Sequence, residues 1–279
     1  MLREPAGAET ERALPLLLLV DPAVAGCGNE DDDVALTQEM YTAIVAGSAS
    51  EANVTCIPAY AFAKYAGDVT LGFMPKLTTV EQSAFSAASG KITIDAGDCP
   101  LLTEFGKACF QGIGNLNTQS TVSFGLMPAL QMIGASAFVN SNGKITFNAG
   151  DCIHLTMIDA NAFKGLHNPA SAVSFGLMPA LKTIGRRAFE SMNGRLSFVG
   201  GNCASLSTIG DAAFARLSGE GNVDSVIKFD GLPAITTIGP TAFQGMAGTL
   251  LINASSVPLL QSIEAAAFKK IASQDSVVI

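Results

Sequence analysis

Three cysteines, Cys99, Cys152 and Cys203, stand 53 and 51 residues apart, the first two preceded by Gly-Asp and the third by Gly-Asn. Thiols at regular spacing could ligate a metal or pair as disulfides. Asp98 and Asp151, each beside a glycine, could offer carboxylate oxygens to a calcium ion. His154 and His167 are the two histidines, and histidine is the side chain that ordinarily titrates near neutral pH. Asn53-Val54-Thr55 and Asn253-Ala254-Ser255 have the N-glycosylation pattern. What each of these groups can do depends on the element that carries it.

That element is a repeat. SFGLMPAL occurs at Ser123–Leu130 and again at Ser174–Leu181. A wider pattern, Ile-x-x-x-Ala-Phe, ends at Phe62, Phe85, Phe110, Phe138, Phe163, Phe189, Phe214, Phe243 and Phe268, with Phe105 in the Ile position before Phe110 and Val80 in that before Phe85. Between these anchors two kinds of segment alternate. One is written ITIDAGDCPLL (Ile92–Leu102) or ITFNAGDCIHL (Ile145–Leu155), the other VTLGFMPKL (Val69–Leu77) or VSFGLMPAL (Val122–Leu130). The true unit is therefore a pair of coils, and the octapeptide recurs because it is one turn of that pair.

Ile145, Thr146, Phe147 and Asn148 alternate apolar and polar, which predicts a strand. Leu-x-x-Ile-Gly-x-x-Ala-Phe follows, and its Ala and Phe suit a short helical turn that packs inward. A unit of about 25 residues with one strand and one such turn cannot bury its own apolar face, whereas stacked neighbours can. The fold class expected is an α/β repeat solenoid over residues 53–279, about nine coils, preceded by an acidic segment over residues 1–52. In that segment Asp31–Asp33 precede the periodic residues Val34, Leu36, Met40 and Ile44, which predicts a helix that caps the first coil. At the other end Asp275–Ile279 echoes the start of a strand, so the expected C-terminal end is an uncapped coil, continued by further repeats or covered by a partner.

Leu-x-x-Ile-Gly-x-x-Ala-Phe before a short strand resembles the BspA-like leucine-rich repeat. The resemblance covers roughly residues 53–279. It implies a leucine-rich-repeat solenoid and a surface or adhesion role. Pro58, Glu81, Asp159 and Glu264 stand where the pattern has Gly, and Ala-Gly-Asp-Cys turns mark alternate coils.

The repeat also tests the candidate chemistry. The positions equivalent to Cys99, Cys152 and Cys203 hold Met74, Met127, Met178, Leu232 and Val257. Such side chains neither ligate zinc nor form disulfides, so the site asks for a moderate apolar group and Cys serves as one. His154 aligns with Lys76, Leu101, Ala129 and Ser205, which reads as surface. Asp98 and Asp151 align with Asn202 and Ser256, which reads as turn capping. GxSxG, P-loop and HExxH motifs are absent from the sequence. No catalytic residue, cofactor or metal is therefore expected, and the chain is read as a non-enzyme.

The net charge of −8 resides in residues 1–52, which carry two Lys/Arg against ten Asp/Glu, while residues 53–279 carry 14 of each. No basic stripe is available for nucleic acid. The apolar run Leu14–Val20 has seven residues, too few for a membrane span of ~18. It leads to Val24-Ala25-Gly26-Cys27, which looks like a bacterial lipoprotein processing site, so membrane attachment is expected only through lipidation of Cys27.

A binding face is expected on the outward strand positions Thr93, Asp95, Ser123, Thr146, Asn148, Ser174, Ser197, Lys228, Asp230 and Asn253. The loops after Phe110, Phe163 and Phe214 vary in length and project from one edge. The expectation is a protein-interaction or adhesion module, outside the cell or on its surface, with a protein or glycan ligand. An intracellular scaffold, or the repeat part of a longer multidomain protein, is the alternative.

Overall fold

The structure, a computed structural model, describes residues 27, 34–217, 225–253, 257–271 and 277–278. The chain winds as a solenoid whose coils feed two parallel sheets of nine strands each, with the strands of each sheet following one another in chain order. The long strands run from Val69–Leu71 and Ile92–Asp95 through to Thr249–Ile252 and Val277–Val278. The second sheet is built from dipeptides of the Leu-x-x-Ile segment, from Cys56–Ile57 to Ser262–Ile263. One strand per coil was expected and two are present. A two-residue strand is too short for an alternating pattern to reveal it. Register holds the apolar positions level, as in Ile94 against Val122, Val122 against Ile145, and Val173 against Leu196. Inward residues of both sheets are buried apart from Ile263 in the last short strand, and outward ones are at least partly exposed apart from Cys56 in the first.

The Ala-Phe segment is not the helical turn that its composition suggests. Among the described residues the helices are Gln38–Val45 and the short 3-10 turn Glu51–Asn53. In every coil the residue two before the anchor Phe and the residue two after it have positive φ, as at Ser136 (60°) and Asn140 (53°) around Phe138. Ser136, Phe138 and Asn140 each donate an N–H to a carbonyl of the next coil, at 2.8 Å in all three cases. The intervening Ala137 and Val139 close tight turns onto Gly134 and Ser136 at 3.2 and 3.1 Å. All five N–H groups are thereby paired. A left-handed conformation costs an L-residue roughly 1–2 kcal/mol, and the ladder between coils offsets it.

This ladder stacks the anchor rings. Phe62, Phe85, Phe110, Phe138, Phe163, Phe189, Phe214, Phe243 and Phe268 form one column with centroids 5.0–5.3 Å apart and planes within 14° of parallel. Phenylalanines of the long sheet meet it edge-on, as Phe147 does Phe163 at 5.2 Å and 74°. The motif glycine has a steric reason. A Cβ on Gly106, Gly134, Gly185, Gly210 or Gly239 would lie 2.5–2.8 Å from the backbone of the preceding coil.

The two-coil period has a physical basis too. Ser120 and Ser171, buried at the ends of the longer loops, accept the N–H of Ile92 and Ile145, each at 3.0 Å; Ser225 accepts that of Leu196 at 2.9 Å. Each serine satisfies an N–H at the start of a strand in the preceding coil. The variable loops therefore carry a structural hydroxyl as well as exposed surface. Of the third loop, residues 218–224 lie outside the described residues.

At the N-terminal end the helix Gln38–Val45 starts at Thr37, whose side chain accepts the N–H of Met40, and not at Asp31–Asp33, which lie outside the described residues. Met40, Tyr41 and Ile44 pack on the core, and the Tyr41 ring meets Phe62 edge-on at 5.8 Å. Leu36 donates to Cys56 carbonyl at 2.8 Å, which extends the short-strand sheet by a bridge at Ala35. Val277–Val278 pairs in parallel with Leu251 and Ile252.

Candidate functional site

Period-two alternation places the expected binding residues on one outer face of the long sheet. Thr93 lies level with Thr70 and Thr121, Asp95 with Ser123, Ser123 with Thr146, and Ser174 with both Asn148 and Ser197. Ser174 Oγ donates to Asn148 Oδ1 at 2.8 Å, Lys228 pairs with Asp230 at 2.9 Å, and Asn253 is exposed just beyond the strand Thr249–Ile252. The face is thus contiguous and made mostly of small polar groups, with Asp95 and the Lys228–Asp230 pair as its charged members.

The alternate-coil cysteines are core. Cys99, Cys152 and Cys203 are fully buried, and burial pushes each thiol up to about 12. Burial raises Cys109 as well. A thiolate is inaccessible to all four at neutral pH, so they offer neither a nucleophile nor a metal ligand. Asp98 Oδ1 accepts the N–H of Leu126, and Asp151 Oδ1 that of Leu177, both at 2.8 Å. These carboxylates cap the turn of the next coil. His154 and His167 are exposed. Asn53 is exposed and its side-chain oxygen accepts Lys76 Nζ at 3.1 Å, whereas Ala254 and Ser255 lie outside the described residues.

Cys27 requires a correction. Its sulfur is bonded to that of Cys56, with Cα atoms 5.8 Å apart. A thiol in a disulfide has no position left for a lipid, so the lipid anchor and the observed bond exclude each other. Comparison between coils does not reveal the bond, because Cys56 lies in a short-strand position where other coils have Thr, Glu, Met or Ser, and its partner lies outside the repeat. Glu81 reaches the same place: Cys27, Cys56 and Glu81 offer donor atoms within 4.8 Å of one another. Burial raises the Glu81 carboxyl, the N–H of Ala59 lowers it, and Glu104 raises it again, for a net upward shift. With the sulfurs bonded to each other this is no thiolate metal site.

Two further features stand out on the surface. One is a set of large apolar side chains, each about half exposed: Phe73, Leu126 and Leu177, one residue before the Met of alternate coils, and Leu101 and Ile153 in the coils between. The other is a cluster of charges on the Ala-Phe turns. Glu190, with a side chain only 6% exposed, pairs with Lys164 at 2.8 Å and with Arg216, and Arg187 Nε lies 3.7 Å away. Burial pushes the Glu190 carboxyl up, but the hydrogen bonds and charges of Lys164 and Arg216 outweigh it and hold it below the usual carboxylate range. Alignment of the coils reveals part of the first, as Phe73, Leu126 and Leu177 share a column, but not the second.

Comparison with curated proteins and with solved structures finds no match of significant similarity. Residues 45–170 match the family model described as the BspA type leucine rich repeat region, in six copies. Strand pairing, the phenylalanine column and the positive-φ turns run on past residue 170 without a break. Repeats of this type generally serve adhesion or protein interaction. Residues 45–170 are similar to the BspA type leucine-rich repeats, and the two-sheet solenoid is consistent with a leucine-rich-repeat fold.

Proposed function

We propose that the solenoid is a non-catalytic binding or adhesion module that works outside the cell or on its surface. The observation that carries this reading is the Cys27–Cys56 disulfide. Disulfides form and persist in oxidising compartments and are rare in a reducing cytosol. Here the bond fastens the acidic N-terminal segment to the first coil. Phe73, Leu126 and Leu177, exposed at one repeat position in alternate coils, support a protein partner, because clustered exposed apolar groups mark interaction surfaces. The small polar groups of the long-sheet face, from Thr93 to Asn253, suit a glycan or a protein backbone. An intracellular scaffold is the second reading, favoured by the four unpaired cysteines Cys99, Cys109, Cys152 and Cys203. Location decides between them. Intact cells that produce the protein are treated with a membrane-impermeant amine reagent, for which Lys76 and Lys144 are exposed targets. Labelling before lysis is expected. Labelling only after lysis would overturn the surface reading in favour of the scaffold.

A further inference from the structure

Beside Glu190 the turns of four successive coils enclose a cleft of about 330 Å³, at the small end of the range for ligand pockets. Its lining includes Arg187, Glu190, Asp211, Arg216, Thr241 and Lys270. The acids are already committed. Glu190 Oε1 takes Arg216 and Oε2 takes Lys164. Asp211 Oδ2 accepts from Arg186 Nε at 3.0 Å and Oδ1 from Thr241 Oγ1 at 3.1 Å. The cations keep donors to spare. Arg187 Nε is shielded from solvent and makes no hydrogen bond among the described residues; its ion pair to Glu190 Oε2 is long, at 3.7 Å, and that oxygen, though ion-paired with Lys164, likewise accepts no hydrogen bond of good geometry. Arg216 spends one nitrogen on Glu190, and its remaining donors take no other partner among the described residues. Lys270 is exposed at the rim and is in none of the ion pairs among the described residues. Three cationic groups thus face a small concavity whose two acids are each already paired with a cation.

We propose that this cleft binds a tetrahedral oxyanion, a sulfate or phosphate monoester group, with Arg187, Arg216 and Lys270 each meeting one of its terminal oxygens. Guanidinium groups match such oxygens with paired, charge-assisted hydrogen bonds, and lysine adds a point charge. Glu190 holds the two arginines at the base of the cleft, so the donors are set before the ligand arrives. Repulsion among Arg187, Arg216 and Lys270 is relieved when the anion enters. The site does not depend on the compartment in which the protein works, so it stands or falls separately from the surface reading.

The test is isothermal titration of the full chain with inorganic sulfate, inorganic phosphate and a sulfated heparin oligosaccharide, each at constant ionic strength set by chloride. Saturable one-to-one binding of at least one of the three is expected. Phosphate alone would assign a phosphate ester, and the oligosaccharide binding more tightly than free sulfate would assign a sulfated glycan. Lys270→Gln, an exposed change that leaves the Glu190 pairs intact, should weaken binding about tenfold, as loss of one charged hydrogen bond does. Arg187→Gln should weaken it by a similar factor, with the fold checked by circular dichroism. No saturable binding of any of the three, or equal affinity in wild type and both variants, would overturn the proposal.

Discussion

At the level of single residues, burial decides which groups do chemistry and which hold the fold. Cys99 and Cys152 sit in the core and behave as apolar groups, whereas Glu190 is a nearly buried carboxylate kept ionised by the cations around it. Its depressed pKa fixes the sign of a pH effect. The stabilisation from Glu190 is present above the carboxyl's ordinary value and is lost as pH falls through the lower value it has in the folded protein. Glu190→Gln should therefore lower unfolding stability by about 1.5–3 kcal/mol at pH 7, with wild type and variant converging in acid; denaturant titrations across pH measure this. A variant as stable as wild type at pH 7 would contradict the role. Phe163 tests the ring column. It stacks on Phe138 at 5.1 Å and on Phe189 at 5.3 Å. Phe163→Ala should cost about 3–5 kcal/mol in the same assay, the range for emptying a large core site.

At the level of elements, coil backbones approach so closely that side-chain volume becomes a register constraint. Gly210 is the sharpest example, since a Cβ there would lie 2.7 Å from Arg186 N. Gly210→Ala should lower stability by about 1–3 kcal/mol, the usual cost of overpacking, and a neutral outcome would show that neighbouring coils can slide apart. The reason for the Gly in the motif is steric and between coils, which no single coil reveals. The repeat itself, its pairing into two-coil units and the inward Ala and Phe were all legible from the sequence, because stacking imposes one environment on each equivalent position. The conformation of the Ala-Phe segment was not. Alanine favours helix in isolation, but here positive φ at Ser136 and Asn140 turns alternate N–H groups toward the next coil, a preference that exists only in the stack. The outer face with Thr93, Ser123 and Thr146 was legible from alternation alone. The Glu190 cleft was not, since its residues come from separate coils and no one segment carries its charge pattern.

At the level of the whole molecule, nine strands per sheet at about 4.8 Å spacing give a rod on the order of 40 Å long. A solenoid of this kind needs its terminal coil covered. The helix Gln38–Val45 lies over the first coil, and the Cys27–Cys56 bond ties the preceding segment to the same place. Closing a loop with a sequence separation of 29 should be worth about 3–4 kcal/mol on the chain-entropy account. The disulfide therefore joins stability to location, since a reducing compartment would remove it. The most direct measurement is mass-spectrometric mapping of the cysteines in protein isolated from its producing cells, with free thiols alkylated at lysis. The account expects a linked peptide pair holding Cys27 and Cys56, and alkylated Cys99, Cys109, Cys152 and Cys203 after unfolding. Alkylated thiols at both Cys27 and Cys56 would contradict the extracellular reading, and a lipid mass on Cys27 would contradict the disulfide.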